Sequence, residues 1–256
     1  NIQEKPTGEI ALGAGAGTSG ATVSFGIKEN NFLGRGIGLD TSLTLTDNTI
    51  KGKFSVLNPN FKNSNRDFRL NVQAIELDRT KNFGYKSNKL GFSTGTSFEY
   101  LEELDLGIDI ENFYEKISTD ASASDLQKTQ AGNYWDTFLN IDFDLDKRNQ
   151  RYETNDGYRA FYSIKLPILS DTNTLSNSLT YKTYAELYEN NITTASIMFK
   201  SSNSISNNNI KLSERLFIPS SKLRGFEKGK VGPKDGDDYI GGNFILATNF
   251  STSIPQ

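Results

Sequence analysis

Hydrophobic and polar residues alternate along most of this chain with a period of two, the spacing that sends successive side chains to opposite faces of a β-strand. In the first such stretch, residues 9–17, Ile10, Leu12, Ala14 and Ala16 share one face and Gly13, Gly15 and Gly17 the other. Glycines in a strand pack nothing and cost backbone entropy, so this strand is expected to be weak. A Thr18-Ser19-Gly20 turn leads to a second strand, 21–28, and the turn-rich stretch 29–36 leads to a third. There Ile37, Leu39, Thr41, Leu43 and Leu45 oppose Gly38, Asp40, Ser42, Thr44 and Thr46. Asp47-Asn48 predicts a tight turn into a fourth strand ending at Leu57, where Asn58-Pro59-Asn60-Phe61 breaks the pattern.

The alternation resumes with Phe68, Leu70, Val72 and Ala74 in a fifth strand, a sixth from about 89 to 101, and a seventh from Leu104. A small, polar loop spans 119–132. The eighth strand sets Leu139, Ile141, Phe143 and Leu145 against Asn140, Asp142, Asp144 and Asp146. After a charged turn at 147–157, three further strands are predicted at 158–166, 175–188 and 192–200, and a last one at 244–253. The total is about twelve strands with no convincing helix. Short turns alternate with long polar loops, as in outer-membrane barrels. The acidic ladder on the eighth strand also suits the wet face of a soluble sandwich. So many long two-faced strands without a cluster of core aromatics fit better a wall with apolar residues toward lipid and polar ones toward a watery lumen. The predicted fold class is all-β, an antiparallel transmembrane β-barrel.

Composition narrows the chemistry. Only 35% of the residues are hydrophobic and the mean hydropathy is -0.53, a poor supply for a large globular core. No apolar run approaches the ~20 residues of a membrane helix. A net charge of -3 with no basic stripe argues against a nucleic-acid partner. Without cysteine there is no disulfide or thiolate chemistry. Without histidine the usual general base and commonest metal ligand are missing, and a Ser-His-Asp triad is impossible. The expectation is therefore no enzyme: no catalytic residue, no metal and no cofactor. No signal peptide is read at Asn1, and Ser253-Ile254-Pro255-Gln256 reads as the end of a strand rather than of a chain.

One stretch stands apart. Leu223-Arg224-Gly225-Phe226-Glu227-Lys228-Gly229-Lys230-Val231-Gly232-Pro233, an acidic run, and Gly241-Gly242-Asn243 are too rich in glycine and charge for a strand. They read as a long loop with one fixed cation, Arg224, one bulky anchor, Phe226, and glycines that permit tight folding. An ordinary solvated hairpin loop is the plain alternative.

Four stretches carry a family resemblance: Pro6-Thr7-Gly8-Glu9-Ile10, Glu29-Asn30-Asn31-Phe32-Leu33-Gly34-Arg35-Gly36, Asn58-Pro59-Asn60-Phe61, and the Arg224 loop with Val231-Gly232-Pro233 and Gly241-Gly242. In that order they resemble the barrel domain of the BamA family of outer-membrane assembly proteins, and so its wider insertase and translocase superfamily. The resemblance implies a sixteen-stranded barrel, of which residues 1–256 would be a partial domain lacking the periplasmic repeat domains and about four final strands. It implies that the Arg224 loop, the family's sixth extracellular loop, folds back into the lumen, where Arg224 pairs with a carboxylate on a later strand or with an alternative such as Asp142 or Asp144. It further implies that the first strand, through Ile10, Leu12, Gly13, Ala14, Gly15 and Gly17, is a seam that pairs with incoming client strands. Those glycines alternatively relieve crowding in the lumen. The implied partners are client outer-membrane proteins, the lipid bilayer and accessory assembly lipoproteins bound through other domains. A translocation or secretion pore of the same superfamily, or a passive porin, are the competing functions. Three departures are visible: the family's turn proline is absent near Glu153, its glutamate near Ser251 is absent, and paired glycines before the loop are replaced at Pro219-Ser220-Ser221.

Overall fold

A computed structural model describes residues 7–17, 20–188, 191–206, 209–227 and 229–253. Pro6, the Thr18-Ser19 turn and residues 254–256 lie outside them. Twelve strands follow one another in chain order in a single antiparallel sheet. They are β1 (Gly8–Gly17), β2 (Gly20–Phe32), β3 (Ile37–Thr46), β4 (Thr49–Asn58), β5 (Phe68–Arg79), β6 (Tyr85–Leu101) and β7 (Leu104–Thr119). After these come β8 (Gly132–Arg148), β9 (Gly157–Ser170), β10 (Thr174–Tyr188), β11 (Asn191–Ser204) and, beyond a long loop, β14 (Phe244–Thr252). That loop carries a separate two-residue ribbon, β12 (Lys234–Asp235) with β13 (Asp238–Tyr239). Among the described residues helix is confined to single turns, such as α1 (Thr80–Phe83) and α2 (Asp125–Thr129). The chain divides into two compact units, Asn1–Ser97 with Asp109–Thr137, and Phe98–Ile108 with Phe138–Gln256.

In the first unit the predicted alternation becomes continuous rows across strands. Ile10, Ile27, Thr41, Phe54, Val72 and Phe92 oppose one another directly from β1 to β6. The neighbouring row runs Leu12, Phe25, Leu43, Gly52, Ala74 and Leu90. All the large members of both rows are exposed. Water would penalise such a surface at about 25 cal/mol per Å², whereas hydrocarbon does not, and from β2 to β5 each strand is paired on both sides, as lipid requires of the main chain. The other face carries Ala11, Gly26, Ser42, Lys53, Gln73 and Gly91 in one row.

That polar face is tied together by ion pairs and hydrogen bonds. Arg69 Nη2 donates to Asp109 Oδ2 at 2.9 Å and Nη1 to Ser97 Oγ at 3.2 Å, while Ser97 Oγ donates to Asp67 Oδ2 at 2.6 Å. Gly91 is pressed against its neighbours: a Cβ there would stand 2.1 Å from the Phe113 ring and 2.5 Å from the Asn112 carbonyl oxygen. The Lys89 ammonium sits 3.9 Å from the centre of the same ring, a cation–π contact.

In the second unit, Tyr162, Leu179, Phe199 and Leu246 form a row on one face of β9, β10, β11 and β14. Arg159, Lys182, Ser196 and Asn249 form a row on the other. Arg159 grips Asp144 with two hydrogen bonds, from Nε at 2.8 Å and from Nη2 at 2.5 Å.

Several elements exceed their predicted bounds. Residues 29–32 continue β2 through a register shift between Glu29 and Phe32; the Asn31 N–H donates to Glu29 Oε1 at 2.7 Å and the Asn30 N–H to the Thr7 carbonyl at 3.4 Å. β6 starts at Tyr85 because buried Tyr85 and Ser87 find partners in Arg79 and Glu115. β9 runs past Pro167, which lies outside the segment 157–165 paired with β10 and so withholds no N–H from that ladder. The loop 119–132 contains α2, closed by a capping box between Ser124 and Gln127. Glu153 has φ +51, a value closed to proline, so the turn that lacks the family's proline has its own geometry.

Candidate functional site

The loop between β11 and β14 was predicted to hold no strand, and the β12–β13 ribbon is the exception; the rest of the loop is organised by individual bonds. Its base is set where the Ser202 N–H donates to the Asn243 carbonyl at 2.9 Å. Next, Leu216 and Gly242 form an isolated antiparallel bridge. Gly241 adopts φ +75, and a Cβ there would meet the Phe217 ring at 2.9 Å and the Leu216 carbonyl oxygen at 3.0 Å. Arg215 Nη1 donates to the Gly241 carbonyl at 3.4 Å. Burial pushes the Arg215 guanidinium below the usual arginine range, and the charge of Asp235 opposes that shift.

Inside the bridge, the Ile240 N–H donates to the Pro233 carbonyl at 3.0 Å and closes the segment around the ribbon. Gly225 and Gly232 take φ of +84 and +126, with open space where a Cβ would stand. They are therefore glycines for conformation and not for room. Residues Pro219-Ser220-Ser221, which replace the family's paired glycines, build a turn in which the Lys222 N–H donates to the Pro219 carbonyl at 2.9 Å.

The turn presents Lys222 to the sheet. Asn249 Nδ2 donates to the Lys222 carbonyl at 3.1 Å, and Lys222 Nζ donates to Ser196 Oγ at 3.4 Å. Ser196 and Asn249 are direct cross-strand partners on β11 and β14. Six residues separate Ser196 from Ser202 at the loop's base, about 20 Å of strand at a rise of ~3.3 Å per residue. The loop thus doubles back along the polar face instead of standing off the end of the strands. Ser196, Met198 and Ile245 along that path are only 7%, 5% and 5% exposed.

The residues expected to carry function fall as follows. Arg224 is exposed and forms no hydrogen bond or ion pair among the described residues; Asp144, one of its expected alternatives, belongs to Arg159. Phe226 is 61% exposed, bordering a small hollow with Ile218, Leu223 and half-buried Val231. Pro233, Gly241 and Gly242 all serve the bridge and the closure beside it. On β1, Ile10, Leu12 and Ala14 face outward, and β1 occupies one end of the strand order. A Cβ at Gly13 would meet the Ser24 hydroxyl at 2.8 Å, whereas Gly15 has nothing within 4 Å; crowding accounts for the first at most. Gly17 pairs with Gly20 at the end of the β1–β2 ladder. Sequence reasoning missed Lys222, Ser196, Asn249 and Leu216. Ser251, where the family's glutamate is absent, lies opposite Thr194 and two residues along from Asn249.

Comparison with known proteins places this geometry. A family model described as the Omp85 superfamily domain matches residues 31–256. The chain is similar to the crystal structure of BamA from Haemophilus ducreyi lacking POTRA domains 1-3, with a TM-score of 0.90 at 20% identity, over 100% of this chain and 54% of that one. It is also similar to CdiB from Acinetobacter baumannii, with a TM-score of 0.58 at 13% identity, over 99% of this chain and 47% of that one. The chain spans about half the length of these solved chains, and at these identities the likeness establishes the fold.

Proposed function

Because this chain belongs to the Omp85 superfamily, we propose that it acts as an outer-membrane insertase, folding client β-barrel proteins into the bilayer through its first strand. It is a protein of the bacterial outer membrane. The observation that carries the reading is the loop between β11 and β14, folded back along the polar face so that Lys222, just ahead of Arg224-Gly225-Phe226, meets the sheet six residues from the loop's base, about 20 Å at ~3.3 Å each.

The mechanism rests on backbone chemistry. A strand at the end of a sheet is a template for another, because its N–H and C=O groups seek partners that lipid cannot supply. β1 is suited to transient pairing: alternate residues are glycine or alanine, so a client strand loses little side-chain packing when it leaves. No covalent step is needed. The client's own strand pairing and the burial of its apolar face in lipid drive insertion, and the protein is not an enzyme. Arg224, without a partner among the described residues, pairs with a carboxylate supplied from elsewhere in the lumen and holds the loop in its working position. Client barrels and lipid are the direct partners, and accessory lipoproteins bind through other domains.

The row Arg159, Lys182, Ser196 and Asn249 is also polar enough to line an aqueous path, which favours a translocation pore of the same superfamily as the second reading. The test is Arg224→Ala in the full-length protein, in cells depleted of the wild type. An insertase predicts a fall of at least tenfold in the assembled level of unrelated client barrels. A pore predicts normal client barrels and loss of one secreted passenger.

A further inference from the structure

The polar pair Ser196 and Asn249 has no evident use to the sheet itself. Directly opposed partners in an antiparallel ladder are held by backbone bonds whatever their side chains. Asn249 is moreover an awkward choice, since its Oδ1 is buried without a hydrogen-bond partner among the described residues. A small apolar residue would avoid that penalty. What Asn249 does make is one directed bond, from Nδ2 to the Lys222 carbonyl at 3.1 Å. Lys222 is the residue on which the Pro219 turn closes and the last before Leu223-Arg224-Gly225-Phe226. Its ammonium adds a longer contact of 3.4 Å to Ser196 Oγ.

We propose that Asn249, with Ser196 beside it, is the seat of the loop: a positioning residue that fixes where along β14 the Arg224 segment rests. The inference rests on the insertase reading for its consequence and on these bonds for its geometry. The principal bond is to a main-chain oxygen, so it reads the path of the loop and not the identity of residue 222. Arg224 two residues on is exposed, and its remaining freedom is set by how firmly Lys222 is held. Without the seat, the bonds that remain near the loop's base, at Leu216–Gly242 and Ser202–Asn243, leave the tip to slide along the polar face.

The test uses the full-length protein in outer membranes. Residues 1–256 contain no cysteine, so in full-length protein with any cysteine outside them replaced by serine, Leu223→Cys and Ala247→Cys report the seat alone when joined by a short bismaleimide. Ala247 shares its face of β14 with Asn249. The parent pair cross-links readily; adding Asn249→Ala lowers the yield at least fivefold, whereas Lys222→Ala, which keeps the carbonyl, retains at least half. Thr248→Ala, on the opposite face, leaves the yield unchanged. Heat-dependent gel migration confirms that each variant is folded, and Asn249→Ser repeats the test should Asn249→Ala fail to fold. A yield within twofold of the parent in Asn249→Ala overturns the proposal, as does equal loss in Lys222→Ala. If the seat is confirmed while Arg224→Ala leaves client assembly intact, the insertase reading falls and the seat stands.

Discussion

Leu216 and Gly242 exchange both of their main-chain hydrogen bonds, each 2.9 Å long, across the width of the loop that joins β11 to β14. This bridge turns residues 217–241 into a closed sub-loop and determines which glycines can be changed. Gly241, beside the bridge, combines a left-handed backbone with contacts of 2.9 and 3.0 Å to any added Cβ. Gly241→Ala should destabilise the loop by about 2–3 kcal/mol, seen as a rise of one to two decades in the rate of protease cleavage within 217–241. Gly225→Ala meets open space and incurs only the conformational penalty, about 1 kcal/mol.

Packing on the polar face of the first unit gives a contrast between two glycines. At Gly91 an added methyl would collide with the Phe113 ring and with the Asn112 backbone, so Gly91→Ala should lower stability by about 1–3 kcal/mol. Gly15 has nothing within 4 Å and no unusual φ, so Gly15→Ala should be neutral to slightly stabilising, by up to about 1 kcal/mol. Urea unfolding in lipid vesicles measures both.

Arg69 lies between two carboxylates, Asp109 at 2.9 Å and Asp67 at 3.6 Å. All three side chains are largely shielded. A double-mutant cycle of Arg69→Ala with Asp109→Ala should return a coupling of about 1–2 kcal/mol. Asp67 keeps part of the charge compensation in the Asp109→Ala single variant, so Arg69→Ala should be the more damaging of the two.

The face assignment of β5 can be tested with one charge. Val72 belongs to the exposed apolar row and Gln73 to the polar face. Val72→Arg should cost about 2–4 kcal/mol and Gln73→Arg less than about 1, again by unfolding in lipid.

The strands and their two faces were legible in the sequence because each depends on a local period of two: Thr41, Leu43 and Leu45 are outward as their spacing demands. Extensions were less legible. Glu29, Asn30 and Asn31 look like a turn, yet β2 absorbs them: Glu29 stays in the ladder, and the Asn31 N–H is held by the Glu29 carboxylate where the register shifts. Pro167 looks like a stop, but its missing N–H falls past the ladder with β10. In the loop, the glycines and the Arg224 segment were visible as composition, and Gly225, Gly232 and Gly241 do take the left-handed conformation. The bridge at Leu216 and the seat at Asn249 were not visible, since each joins residues far apart in the chain through a single pair of bonds. No local pattern encodes them.

Pairing of client strands with β1 is tested most directly by site-specific cross-linking from β1 during assembly of a client barrel. A photoreactive residue is placed in turn at Ile10, Leu12 and Ala14 of the full-length protein in living cells. Transient pairing at β1 predicts adducts with the terminal strands of several unrelated client barrels, forming during assembly and disappearing once the client is folded. Adducts with a single secreted passenger, or no client adduct at any β1 position while barrels continue to assemble, would contradict it.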